Sequence, residues 1–405
     1  MVKLTWYRVA AWRAHRHYLD RRAPAGSILA VAGRLCGLHA QVMSAAELAA
    51  WARVNGLERG DVPRAVWEER TLIKTWAMRG TLHLLPTADL PLWHGALATS
   101  RRYRSAVGWK RWLGITLEEL DGLTVAIGKA LKGRVLTREE LLREVGRLGG
   151  SKAKLALNGW GTVLKPAAFA GHLCFAPSLG TRVRFTRPDT WLKQRSQPLD
   201  PNAATAELTR RFLSAYAPAT VHDFARWWGG ASMKTVRGWL SGLGEEVAAV
   251  DLEGEQAWML ADDVREVRDL PASRSVRLLP AFDPYVIGAS RHAHHLLPGE
   301  FRSRIYRPQG WVSPVLLVNG HMEGTWAHKI AGSRLEVTIE PLAKQPAWVR
   351  RAAAAEAARL AEFFGCSVDL QHLEPGPAMS HVAGMRPQMA RKARFAKNEK
   401  PRPKV

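Results

Sequence analysis

Cysteine is scarce: the 405 residues hold three, Cys36, Cys174 and Cys366, far apart in the chain. They form neither an even disulfide set nor a metal-ligand spacing, which excludes a disulfide-stapled scaffold and a cysteine-built zinc site. Each is flanked by apolar or small residues and reads as a buried thiol, suited to a reducing compartment. Long apolar runs are missing too. None approaches the roughly 18 residues of a membrane span, so no membrane partner is expected. The opening stretch, MVKLTWYRVAAWRAHRHYLD, is too polar for an export signal. The expected location is therefore the cytoplasm, at the nucleoid. Acidic side chains are also in short supply, 36 against 59 Lys plus Arg, for a net charge of +23. That imbalance favours a polyanionic partner, chiefly nucleic acid.

What is present is enough apolar material for sizeable cores, 47% of the chain, and a recurring order of elements. VLTREELLREVGRL (135 to 148) opens with a Thr137 to Glu140 capping box and continues as an amphipathic helix. Residues 154 to 170 give a second helical pattern. LCFAPSLGTRVRFTRP (173 to 188) then reads as a hairpin turning at Pro177 to Gly180. The order repeats downstream. A helix and a second one capped by Thr220 and Asp223 fill 206 to 229. Another helix covers 232 to 243, and a hairpin over 246 to 260 turns at Glu253-Gly254. Helix, helix, hairpin is the order of a winged helix. The N-terminal region fits as a third copy, with helices over 5 to 19, 27 to 37, 45 to 54 and 63 to 70 and short strands at 72 to 77 and 80 to 85.

From residue 271 the texture becomes strand-rich: 277 to 288, 311 to 330 with an Asn319-Gly320 turn, and 334 to 342. An Ala-rich helix over 346 to 365 stops at Gly365. The fold class expected is α+β: tandem winged helices over 1 to 110, 111 to 195 and 196 to 268, a β domain with a packed helix over 269 to 385, and a basic tail over 386 to 405. A tail of that composition suits non-specific phosphate contacts, or is simply solvated.

One connection stands out. GLHAQVMSAAELAAWAR (37 to 53) places His39 and Gln41 one residue apart in an apolar setting. Gly37 suits a helix C-cap, and Ser44 with Glu47 reads as a capping box starting a helix near Ala45. If the residues between are extended, His39 and Gln41 share one face while Leu38, Ala40 and Val42 take the other. In most proteins such a pair is simply solvated.

The segments LHAQV, TWAMRGTLHLLP (75 to 86), LLPAFDPYVIG (278 to 288) and VNGHMEGTWAHKI (318 to 330) together resemble the AlkZ/YcaQ family of winged-helix DNA glycosylases. The likeness spans nearly the whole chain. Arg79-Gly80-Thr81-Leu82-His83 and Phe282-Asp283-Pro284-Tyr285 are its more specific parts. The resemblance implies three tandem winged helices and a C-terminal β domain forming a concave surface for duplex DNA. It also implies excision of alkylated bases, notably N7-alkylguanines, and in some members unhooking of interstrand crosslinks made by genotoxic natural products. The family's catalytic motif is Gln, an apolar residue, then Gln or Asp. Here its positions hold His39, Ala40 and Gln41, a variant that resembles a branch including self-resistance enzymes of antibiotic producers. The chemistry accommodates a histidine. N7-alkylation already makes guanine a good leaving group, so no strong acid is required. Gln41 can accept from and donate to a water, and a neutral His39 can accept a water proton.

Further candidates follow from charge. Arg79, near the first expected wing, suits a phosphate contact or a structural ion pair. Arg182, Arg184 and Arg187 alternate with Val183 and Phe185 and suit phosphate or minor-groove contact. Lys234 and Arg237 lie early in the third unit's expected recognition helix. Asp283 and Tyr285 either support the active site or build a strand-to-turn junction. His292, His294 and His295 lack a carboxylate or cysteine at ligand spacing, so a loop rather than a metal site is expected there. Most of the 17 tryptophans, such as Trp160 and Trp227, have core spacing. The expected function is hydrolysis of the N-glycosidic bond of a cationic alkylated guanine by a monomer, on duplex DNA, with no metal or other cofactor. A winged-helix transcription regulator and a non-catalytic binder of damaged DNA stay open beside it.

Overall fold

The computed structural model describes residues 1–98, 106–148, 161–194, 197–271 and 274–376. The 386 to 405 tail, Trp160 and the first part of the 154 to 170 helix lie outside them. A short strand β1 (Val2–Leu4) leads into α1 (Trp6–Arg16), capped by the Thr5 hydroxyl. The first repeated unit follows: α2 (Ile28–Arg34), β2 (Leu38–His39), α3 (Met43–Trp51), α4 (Asp61–Trp67), β3 (Leu72–Trp76) and β4 (Leu82–Pro86). Helices α5 (Leu90–Ala98) and α6 (Ala106–Leu113) connect it to the next.

The second unit comprises α7 (Leu117–Ala130), β5 (Leu136–Thr137), α8 (Arg138–Arg147), α9 (Lys165–Phe169), β6 (Cys174–Leu179) and β7 (Arg182–Thr186), with α10 (Pro188–Leu192) after it. The third comprises α11 (Pro201–Tyr216), α12 (Val221–Trp228), α13 (Met233–Ser241), β8 (Val247–Leu252) and β9 (Glu255–Leu260), followed by α14 (Asp263–Asp269). The sheets share one topology. In the first two units the short strand pairs with the second strand of the hairpin, giving the orders β2-β4-β3 and β5-β7-β6. In the third that strand is reduced to a single bridge from Ala219 to Trp258 in β9, and β1 adds in parallel on the outside of β8.

The remaining chain forms β10 (Val276–Leu279), α15 (Pro284–Ala289), α16 (Ala293–Leu296), α17 (Arg302–Ile305), β11 (Val315–Val318), β12 (His321–Ala331), β13 (Arg334–Pro341), α18 (Ala347–Phe364) and β14 (Ser367–His372). The five strands make one sheet in chain order, with α18 packed on it. Trp12, Trp51, Trp93, Phe212 and Phe224 are among the fully buried side chains, and Trp227 is buried as its spacing suggested.

Local signals account for much of this. Thr137 with Glu140 and Thr220 with Asp223 each form the reciprocal capping bonds. The Glu253-Gly254 and Asn319-Gly320 turns have φ of 50°, 93°, 51° and 82°, the left-handed pairs that a two-residue hairpin needs. Gly365, at φ 66°, caps α18.

Several expectations are corrected. The second unit's hairpin turns at Gly180-Thr181, because β6 runs on to Leu179 across a bulge between Ala176 and Leu179. Cys366 is half-buried, since the chain leaves the core behind Gly365. Residues 284 to 289 are helical, not strand, because Asp283 caps that helix through the Tyr285 N–H. The three histidines at 292 to 295 sit on two short helical turns rather than a loop. Helix α3 starts at Met43, with Val42 as its N-cap and no capping side chain, so Ser44 and Glu47 form no box.

Candidate active site

In the second and third units the short strand runs straight into a capping threonine, Thr137 or Thr220. The first unit departs from this. Its strand continues past His39, with the Ala40 N–H donating to the Leu82 carbonyl at 2.7 Å, and the chain then bends at Gln41 and Val42 before α3. Leu38 and Ala40 are fully buried. The alternation sends them to one side and His39 and Gln41 to the other. His39 is 6% exposed, whereas Gln41 is at the surface. Upstream, α2 ends in a Schellman motif. Cys36 takes the left-handed position at φ 58°, one residue before the expected cap Gly37, which donates its N–H to the Ala32 carbonyl.

Three groups enclose the His39 ring. His83, its partner across the β2–β4 ladder, meets it edge-on at 5.4 Å and 84°. Phe282 stacks on it at 5.2 Å and 22°. Arg79 stands in the turn between β3 and β4 at φ 57° and lines the same pocket as His39, His83, Leu35, Tyr216 and Trp227. Its guanidinium donates to the Trp227 carbonyl at 2.9 Å and lies 3.4 Å from His83 Nε2. Since His83 Nδ1 lies 3.0 Å from the Thr81 carbonyl, Nδ1 carries the proton and Nε2 accepts from Arg79. His83 is thus neutral, and burial pushes its pKa well below the ordinary value. His39 is pushed down to about 3, first by burial and then by the Arg79 charge. Its Nδ1 is buried and has no hydrogen-bond partner in the protein. His39 is therefore a neutral imidazole whose buried Nδ1 is unengaged by the protein, two residues before the exposed Gln41.

Asp283 and Tyr285 stand behind this pocket. Asp283 is fully buried and takes two hydrogen bonds from Arg53, both 2.7 Å. Tyr285 is buried, and its hydroxyl donates to the Gly320 carbonyl at 2.7 Å. Their polar atoms serve the framework. Phe282 was not legible as a site residue. An aromatic before Asp-Pro carries no signal that it will adopt φ 59° and cover a histidine from the first unit.

The basic candidates separate by what they already touch. Arg182, Lys234 and Arg237 are exposed. Arg184 donates to the Pro177 carbonyl of its own hairpin at 2.6 Å. Arg187 does not share their face: it lies just past β7, an odd number of residues from Arg184, so strand alternation puts it with Val183 and Phe185 rather than with Arg182 and Arg184. It grips Asp189 at 2.9 and 2.6 Å and precedes α10. His292 Nε2 lies 2.8 Å from Asp223. Among the described residues, no three His, Cys, Asp or Glu side chains cluster as metal ligands, and no helix is long and apolar enough to cross a membrane.

Comparison with known proteins places this geometry in context. A family model described as DNA glycosylase AlkZ-like matches residues 32–363. The chain is 36% identical over 353 residues to the interstrand DNA cross-link repair glycosylase of Streptomyces sahachiroi, covering 84% of this chain and 92% of that protein. The fold is similar to the solved structure of the Streptomyces sahachiroi DNA glycosylase AlkZ, with a TM-score of 0.83 and 34% identity, over 92% of this chain and all of that one.

Proposed function

The chain belongs to the AlkZ-like DNA glycosylases, and on that premise we propose that it hydrolyses the N-glycosidic bond of N7-alkylated, cationic guanine in duplex DNA. The observation that carries this reading is the buried, neutral His39 with an unengaged ring nitrogen, two residues from the exposed amide of Gln41. As the C1′–N9 bond breaks, its electron pair returns to the base and neutralises the cation. The sugar becomes oxocarbenium-like. A water held between His39 and Gln41 adds its oxygen to C1′ and loses a proton. With a pKa near 3, His39 is a weak base at neutral pH. Its main work is then to accept a hydrogen bond and orient the water, with the proton passing on to solvent. Arg79 disfavours a second cation on His39 and so keeps its lone pair available.

The three repeated units act as winged helices, over 1 to 110, 111 to 195 and 196 to 268, and with the β domain they grip the duplex. Arg182, Arg184, Lys234 and Arg237 contact phosphates, while Arg79 and Arg187 hold the scaffold. The protein works as a monomer near the nucleoid and needs no metal or cofactor. The name of the Streptomyces sahachiroi relative suggests interstrand DNA crosslinks as a further substrate, and the likeness of the His-x-Gln variant to self-resistance enzymes supports such a role.

The test is single-turnover incubation with duplex containing one N7-methylguanine, followed by alkali to cleave abasic sites. Strand cleavage that appears only after alkali, and that is lost in His39→Ala, supports the reading. Intact strands with wild-type protein refute it.

A further inference from the structure

We infer that Phe282 is a positioning residue for excision: its ring clamps one face of the His39 imidazole from the β-domain side and keeps bulk solvent off that face, leaving the ring edge to hold the reacting water. This rests on the proposed role of His39 and adds a second requirement to it.

The geometry is specific. Phe282 lies nearly parallel to His39, 5.2 Å away, and is braced edge-on by Trp311 at 4.8 Å and 73°. Its backbone sits at φ 59°, a conformation costly for a bulky aromatic residue. Such a conformer persists only where its surroundings over-determine it. Here they do. The next residue, Asp283, is locked by Arg53 of the first unit and by capping α15. The Phe282 N–H donates to the Val312 carbonyl at 3.3 Å. Arg53 follows α3, the helix that begins just after Gln41. One buried ion pair therefore sets the spacing between the His39 strand and the Phe282 ring.

The other titratable and charged groups lining this pocket are Arg79 and His83, from the β3–β4 side, and Tyr216 from α11. Trp227 of α12 and Pro284, Ile287 and Gly288 of α15 contribute no charge. Asp283 turns to Arg53. Burial keeps His83 neutral and Tyr216 protonated. Of these groups, His39 is the one that removal of the Phe282 ring would bring into titration near neutral pH.

The experiment compares Phe282→Gly, Phe282→Leu and Phe282→Tyr in the full-length protein. Glycine keeps the left-handed backbone without strain and removes the ring. Single-turnover excision of N7-methylguanine is followed from pH 5 to 9, with duplex affinity measured in parallel. Phe282→Gly and Phe282→Leu should slow excision by roughly 10- to 100-fold at neutral pH, the scale of a loosened catalytic geometry. Both should also acquire an acidic limb as His39 returns towards its ordinary value of 6.5. Phe282→Tyr should retain wild-type behaviour. The limb should be absent when Phe282→Gly is combined with His39→Gln. A uniform drop in rate with a flat pH profile, or Phe282→Tyr as slow as Phe282→Gly, overturns the inference. Wild-type excision by His39→Ala would instead remove the catalytic reading beneath it.

Discussion

Asp283→Ala is the most informative structural perturbation. It removes the partner of Arg53, and both side chains are wholly buried. The guanidinium cannot shed its charge at any working pH. After the change it keeps one hydrogen bond, Nη1 to the Ala49 carbonyl at 2.9 Å. Stranding a buried charge in this way costs about 3–5 kcal/mol. The lost cap on α15, where Asp283 accepts from the Tyr285 N–H, adds about 1 kcal/mol. A total of about 4–6 kcal/mol is a large share of the roughly 5–15 kcal/mol by which a folded chain is stable. Urea unfolding followed by tryptophan fluorescence measures it. Arg53→Met combined with Asp283→Leu should lie within about 1–2 kcal/mol of wild type, because no unpaired charge remains. A loss below about 1 kcal/mol for Asp283→Ala, typical of an exposed ion pair, would refute the account of this contact as the tie between the first unit and the β domain.

The remaining predictions concern chemistry and binding. His39→Ala and Gln41→Ala should each slow excision by about 10²–10⁴-fold with duplex affinity unchanged, and His39→Gln should retain substantial activity in the same single-turnover assay. Wild-type excision should show no histidine limb from pH 5 to 8. His39 is pushed down to about 3, so its lone pair is lost only as pH falls towards that value. A limb centred near 6.5 in a pH–rate profile would contradict the buried site. Duplex affinity should fall steeply with salt, and Arg182→Ala and Lys234→Ala should each reduce the log–log salt slope by about 1. Arg187→Ala should change the slope less and lower the melting temperature, because its partner is Asp189. Excision should survive EDTA and exhaustive dialysis, and loss of activity restored by one added metal would refute hydrolysis by water alone.

Short-range physics made several elements readable in the sequence. The Thr137 and Thr220 caps, the Glu253-Gly254 and Asn319-Gly320 turns and the Gly365 stop each depend on residues within one turn of one another. Backbone sterics and local hydrogen bonds settle them whatever surrounds them. The inward course of Leu38 and Ala40 was readable for the same reason, since strand alternation is local.

Contacts between distant segments settled the remainder. Ser44-Ala-Ala-Glu47 has the pattern of a capping box, yet α3 starts before it, because pairing of Ala40 with Leu82 carries the strand up to the bend at Gln41. Arg187 looked like a third phosphate-facing arginine, but it lies beyond the end of β7 and Asp189 claims the guanidinium. Arg53 and Asp283, 230 residues apart, find each other only when the β domain closes on the first unit. That closure places Phe282 over His39 and buries the imidazole. Local chain geometry set which side chains the His39 strand would offer. Only the fold decided that one of them would be dry and neutral, because desolvation is a property of what packs around a group and not of the residues beside it in the chain.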